Sequence, residues 1–202
     1  MEIVIASENM HKIREFRSLI KHIKSLDVLS LLDFPEYHPQ EEVGASFEEI
    51  ACKKALHAAQ ALHRWVIADD SGLVVPALDG RPGIFSARYA GVGATDKEKR
   101  SKLLQEMNHL QDPQDRHAYF ECSIALASPV GVKKSVTALC EGSISFDERG
   151  NKGFGYDALF IKHEYSKTFA EIDEDIKNRI SHRRKAFDKI LPYLESLQLA
   201  HL

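Results

Sequence analysis

ADDSGLVVPALDGRPGIFSARYAG, residues 68–91, puts two adjacent carboxylates, Asp69 and Asp70, directly behind the apolar run that starts at Trp65. An apolar run followed by Asp-Asp-Ser-Gly reads as a strand ending in a turn, with Leu73 to Pro76 as a second strand beyond it. Neighbouring carboxylates repel unless water, a cation or a donor accommodates them. Successive strand residues face opposite sides, so only one of the two acids can look into a shared site, and parity alone does not say which. A metal site and a polar turn are both open from this stretch.

Upstream, Ser46-Phe47-Glu48-Glu49 has the capping-box pattern of a helix start. The helix is expected to run to about Arg64, with Phe47, Ile50, Ala51, Ala55, Ala58 and Leu62 on one face. An alanine-rich stripe of this kind suits close packing on a sheet. Before it, DFPEYHPQEEVGA, residues 33–45, carries two prolines and a glycine and reads as a loop. That loop holds Glu41 and Glu42. A loop acid and a strand-end acid joined by one helix can meet at one end of a sheet, and Mg²⁺ takes one or two carboxylates together with waters and phosphates. Acids that cap helices or solvate turns are the plainer reading.

The chain opens with a buried strand, Glu2 to Ala6, followed by Ile13, Phe16, Leu19, Ile20 and Ile23 at helical spacing. SENMHK, residues 7–12, lies between them. N–H groups at a helix N-terminus favour an anion, whereas Lys12 is a cation in that first turn, a conflict that a bound phosphate would resolve. Pairing of Lys12 with Glu8 or Glu15 on a solvated face is the alternative. Asp27 to Leu32 suggests a second strand, and Thr95 to Leu110 an amphipathic helix.

Tyr119 to Ser128 and Val132 to Phe146, joined by Ser-Pro-Val-Gly, read as a long antiparallel hairpin. A glycine-spaced loop, GNKGFGYD, follows, and a last helix begins near Ser181 with Pro192 expected to kink or split it. GFGYD, residues 153–157, can let backbone approach a ligand while a ring stacks on a base, or can be a turn with core aromatics. Lys177, His182, Arg183 and Arg184 form a cationic cluster at the last helix, again asking for an anion. The alternation predicts an α/β fold with a mixed sheet flanked by helices, one domain over residues 1–202 with two lobes and a cleft between them.

Charge and composition narrow the classes. Lys and Arg number 27 against 30 Asp and Glu, a formal net charge of −3, so a basic nucleic-acid footprint is not expected. The three cysteines have no CxxC spacing and read as reduced core thiols. No stretch approaches the roughly 20 apolar residues that span a bilayer, and the N-terminus lacks a signal-like apolar region. A cytoplasmic protein without membrane or nucleic-acid partners is expected. GxSxG, HExxH and GxGxxG are absent, which removes the common acyl-transfer, zinc-protease and dinucleotide readings.

In order along the chain, ASENMHKIREF, EEVGASFEEIACKKA, ADDSGLVVPALDGRPGIFSARYAG, GFGYDALF and SHRRKAF together resemble the inosine triphosphate pyrophosphatase family. The resemblance implies an elongated central mixed sheet, two lobes with a substrate cleft, and a homodimer. It also implies Mg²⁺-dependent hydrolysis of ITP, dITP or XTP to the monophosphate and pyrophosphate, which clears deaminated purine nucleotides. By the same likeness Glu41 and Asp70 match the metal ligands, and Asp70 the proton acceptor. Ser7, Glu8, Asn9, Met10, His11 and Lys12 match the phosphate segment, and Ser71 a substrate contact. Phe154, Gly155, Tyr156 and Asp157 match the base-recognition segment, and Lys177, His182 and Arg183 further nucleotide contacts.

His11 stands where the family commonly has glycine, Ile50 where it commonly has asparagine, and Ala158 where proline often follows. The likeness gives the catalytic place to Asp70 and leaves Asp69 as a supporting or turn-stabilising partner whose loss only weakens activity. A Maf-type nucleotide pyrophosphatase of different base preference and a nucleotide sensor without catalysis are the competing readings.

Overall fold

The computed structural model describes residues 2–23 and 26–199. Six strands form one sheet, β1 Glu2–Ile5, β2 Asp27–Ser30, β3 Val66–Val74, β4 His117–Ser128, β5 Gly131–Ile144 and β6 Phe160–Lys162, in the order β2-β1-β3-β4-β5-β6. β1 runs parallel to β2 and β3, whereas β6 is antiparallel to β5, so the sheet is mixed. The helices are α1 Met10–Ile20, α2 Phe47–Leu62, α3 Asp96–Glu106, α4 Glu174–Ile180 and α5 His182–Leu199.

By its internal packing the chain divides into two compact units. Unit one comprises Met1–Asp70, Cys122–Ala138 and Arg183–Leu202; unit two comprises Ser71–Glu121 and Leu139–His182. In unit one, strand alternation sorts side chains onto two covered faces, which is why β1 reads as an unbroken apolar run. Ile3, Ile5 and Ile67 pack with Ile13, Phe16, Phe187 and Ile190 of α1 and α5. Val4, Ala6, Val66 and Ala68 pack against Ala51, Ala55, Ala58 and Ala59 of α2, as its alanine stripe predicted. Unit two has its own core, in which Leu73, Val75, Phe120, Cys140, Phe160 and Phe169 meet.

Several boundaries differ from expectation. The two strands expected on either side of Asp-Asp-Ser-Gly are one continuous strand, β3, in which Asp69 is ion-paired to Lys12 and Arg183 and Asp70 is buried. β2 stops at Ser30, where the Asp33 carboxylate accepts from the Ser30 amide at 2.8 Å and closes a 3₁₀ turn over Leu31–Asp33. α2 ends at Leu62, capped by His63 at φ 53°. Helix α5 continues through Pro192 and is not split. The short β6 and α4 had no counterpart in the sequence reading.

Candidate active site

β3 carries Asp69 and Asp70 at its centre, on opposite faces. Asp69 shares the face of Ile67, towards α1 and α5. Its Oδ2 lies 3.1 Å from Lys12 Nζ and accepts from Arg183 at 2.8 and 3.2 Å. Arg183, 1% exposed, also pairs with Glu15 of α1. Burial opposes ionisation of Asp69, but Lys12, Arg183 and Lys54 outweigh it and hold its carboxyl far below the usual range. Asp69 is thus one member of a buried ion network and no turn stabiliser.

Asp70 shares the face of Ala68, towards α2. It is 7% exposed, and burial pushes its pKa up to about 6; Lys12 and Lys54 pull it down, while Glu42 and Asp69 push it further up. The result is a carboxylate near neutrality with two ammonium groups in electrostatic range, which suits a proton acceptor. Lys54, on α2, donates to Glu42 Oε1 at 2.6 Å and to the Asp69 carbonyl at 3.1 Å. Its carboxylate neighbours outweigh burial and keep it charged. Of the two loop acids, Glu42 is the one that acts on Asp70, whereas Glu41 is exposed. Glu41, Glu42, Lys53, Lys54 and His57 line a pocket of about 260 Å³.

At the start of α1, Asn9 is the N-cap; its Oδ1 accepts from the amides of His11 at 2.9 Å and Lys12 at 3.3 Å. Ser7 Oγ accepts from the Asn9 amide at 3.1 Å. Glu8, Met10 and His11 are exposed. His11 is absent from the residues with positive φ, so this position in a helical first turn has no need of glycine. Lys12 pairs with Asp69, and Glu15 with Arg183.

Unit two holds the second group of expected site residues. Asp157 Oδ2 accepts from the Phe154 amide at 2.9 Å and from Lys177 Nζ at 2.6 Å, and that ammonium lies 4.7 Å from the Phe154 ring centre. Gly155 is held at both ends, its amide donating to Asp96 at 2.6 Å and its carbonyl accepting from Arg100 at 2.9 Å. Tyr156 donates to the Ser86 carbonyl at 3.0 Å. Ser71 follows Asp70 in β3 and is half-buried. His182 is buried and stacks on Phe120, centroids 4.7 Å apart.

The cationic cluster read at the last helix therefore does not act as one patch. Lys177 goes to Asp157, Arg183 to Asp69 and Glu15, and Arg184 to Asp188. These three cations go to different carboxylates, and the Arg183 guanidinium is held by Asp69 and Glu15 inside unit one.

A family model described as the Ham1 family matches residues 3–193. The chain belongs to the Ham1 family. It is 57% identical over 198 residues to the dITP/XTP pyrophosphatase of Protochlamydia amoebophila (strain UWE25), covering 98% of this chain and all of that protein. The dITP/XTP pyrophosphatase of Chlamydia trachomatis serovar D is 50% identical over 202 residues, 100% of this chain and 97% of its own. Among solved structures, a HAM1 protein from Coxiella burnetii aligns with a TM-score of 0.87 at 38% identity, over 97% of this chain and 99% of that one. The Ham1 protein of Staphylococcus aureus gives 0.84 at 40% identity with the same coverage.

In this Ham1 chain the loop acids Glu41 and Glu42 and the β3 acid Asp70 carry hard oxygen donors of the kind Mg²⁺ takes, and a cation near Asp70 would offset the burial and the neighbouring Glu42 and Asp69 charges that raise its pKa. Among the described residues no group of three or more His, Cys, Asp or Glu is placed to hold a metal ion. Sequence reading missed Lys54 and left Glu15, which is buried, on a solvated face as an alternative partner of Lys12. Both signals were present: Lys54 lies four residues from Ile50 and from Ala58, on the buried face of α2, and Glu15 lies four before Leu19 on that of α1. No helix of the described residues is long and apolar enough to cross a membrane.

Proposed function

We propose that this protein hydrolyses ITP, dITP and XTP to the nucleoside monophosphate and pyrophosphate, with Mg²⁺. The observation that carries the reading is Asp70, a buried carboxylate with a pKa pushed up to about 6 beside the cations Lys12 and Lys54. The printed names of the two pyrophosphatase relatives support the substrate class. Asp70 takes a proton from a water whose oxygen bonds to the α-phosphorus, while the bond from that phosphorus to the bridging oxygen breaks and pyrophosphate leaves. Glu41 and Asp70 would hold Mg²⁺, which would supply charge neutralisation at the triphosphate oxygens.

Lys12 screens phosphate charge, and SENMHK supplies backbone donors around it. In unit two, Phe154 to Asp157 with Lys177 and His182 recognise the base. A site built to donate to O6 disfavours the amino group of adenine, because a buried donor is then left unmatched. The homodimer and the cytoplasmic setting belong to the same reading and rest on the family likeness.

The test is product analysis with ITP, XTP, dITP, GTP and ATP, with and without Mg²⁺, for the wild type and Asp70→Asn. Pyrophosphate release from ITP and XTP, lost in the variant, is expected. Orthophosphate as product would overturn the cleavage site, tight binding without release would favour a sensor, and a pyrimidine preference would favour the Maf-type reading.

A further inference from the structure

Between the 3₁₀ turn at Leu31–Asp33 and the Ser46 cap of α2, residues 38–45 form neither helix nor strand, yet their position is set by one face of α2. The contacts run in antiparallel order. The Ala45 amide donates to Glu49 Oε2 at 2.8 Å. Gly44 sits so close to the helix that a Cβ there would meet Ile50 Cγ1 at 2.7 Å. Lys53 Nζ donates to the Val43 carbonyl at 3.1 Å, and Lys54 Nζ to Glu42 at 2.6 Å. Tyr37 Oη and His57 Nδ1, 2.7 Å apart, close the far end. Residues 49, 53 and 57, with 50 and 54, are spaced at one helical turn, so a single stripe of α2 holds the loop that bears both acids.

Glu42 is fixed directly by Lys54. Glu41 lies at the end of residues 38–41, the span between the Tyr37 and Glu42 anchors. Tyr37 and His57 line the pocket of Glu41 and Lys54, and they equally line a second one of about 500 Å³ with Phe34, His38 and Leu62. The pair is therefore a shared wall between the two.

We propose that the Tyr37–His57 hydrogen bond is a clasp that positions Glu41 for its divalent cation and walls off the rear of that pocket. This rests on the reading of Glu41 as a metal ligand. Both are positioning residues, and no contact with substrate is assigned to them. Outer partners that orient a metal ligand typically change metal affinity by about 10- to 100-fold when removed.

Tyr37→Phe and His57→Phe keep a ring and lose the bond; His57→Gln keeps an amide that can reach Tyr37. Two readouts are paired: the Mg²⁺ concentration giving half-maximal pyrophosphate release at saturating ITP, and amide hydrogen exchange of residues 38–44 without ligand. Both Phe variants are expected to need about tenfold more Mg²⁺, to retain kcat at saturating Mg²⁺, and to exchange faster over 38–44 with the rest of α2 unchanged. His57→Gln should recover most of the Mg²⁺ response, though not in the Tyr37→Phe background. An unchanged Mg²⁺ requirement in both Phe variants overturns the clasp, as does a loss of kcat without a shift in it. If the wild type releases no pyrophosphate, the reaction reading fails, and unaltered exchange over 38–44 then separately overturns the clasp.

Discussion

Lys12 Nζ lies 3.1 Å from Oδ2 of Asp69, and the same oxygen accepts from two guanidinium nitrogens of Arg183. The charge of Asp69 is therefore matched inside unit one. The Lys12 side chain is 15% exposed against 1% for that of Asp69, so Lys12 is the member of the network that solvent, or a phosphate, can meet. Asp69 aims it, Arg183 fixes Asp69, and Glu15 fixes Arg183.

Asp69→Asn should cost stability as well as activity. Removing one partner of a buried ion pair leaves the others uncompensated and typically costs about 3–5 kcal/mol. The folded pKa of Asp69 is depressed, so its stabilisation is complete above the unfolded carboxylate range and is lost as pH falls towards the folded value. Urea midpoints should therefore differ widely near pH 7 and converge well below about pH 4. A variant as stable as the wild type near pH 7 would contradict the network.

Asp70→Asn should do the opposite to stability. With a folded pKa of about 6 against the model value of 3.8, the native state binds the proton more tightly than the unfolded chain, and stability falls as pH rises between those values. Near pH 8 the ionised carboxylate is a liability of about 3 kcal/mol, which asparagine removes. The variant should melt higher than the wild type near pH 8, lose that advantage below about pH 4, and be inactive throughout. In the metal-free wild type, Asp70 should titrate near pH 6 by carboxyl NMR; a value near 4 would remove the basis for a poised acceptor.

What the sequence made legible was what local pattern controls. The apolar run of β1, the Ser46 cap and the alanine stripe of α2 are decided by neighbours within a turn or two. The continuity of β3 through Asp69 and Asp70 was hidden because its compensating charge arrives from Arg183, 114 residues away. Asp-Asp-Ser-Gly alone looks like a turn. β6 spans only Phe160–Lys162, too short to leave a period, and is defined by pairing with β5. In the candidate site, local spacing pointed to the acids and to Lys12; their partners depended on the fold.

Lys54→Met should lower kcat/KM by at least about 100-fold, the scale seen when one preorganised donor is removed from a catalytic site. The Asp69 carbonyl then loses its donor and Asp70 loses a cation that lowers its pKa. The acid limb of kcat/KM should consequently move to higher pH, since Asp70 becomes harder to ionise. A pH profile that falls in height without moving would assign Lys54 to substrate charge alone.

Gly153→Ala tests unit two. Gly153 has φ +74°, and a Cβ there would lie 2.1 Å from Asp157 Oδ2, the atom that receives both the Phe154 amide and Lys177. Alanine must displace that carboxylate, which frees the Phe154 backbone and leaves Lys177, 5% exposed, without its 2.6 Å partner. KM for ITP should rise by about tenfold or more with kcat largely kept, the pattern of lost uniform binding. Asp157→Ala removes the same two bonds, so in a double-mutant cycle the second change should add little to the first. Wild-type KM in Gly153→Ala would show that the segment from Gly153 to Asp157 takes no part in holding the nucleotide.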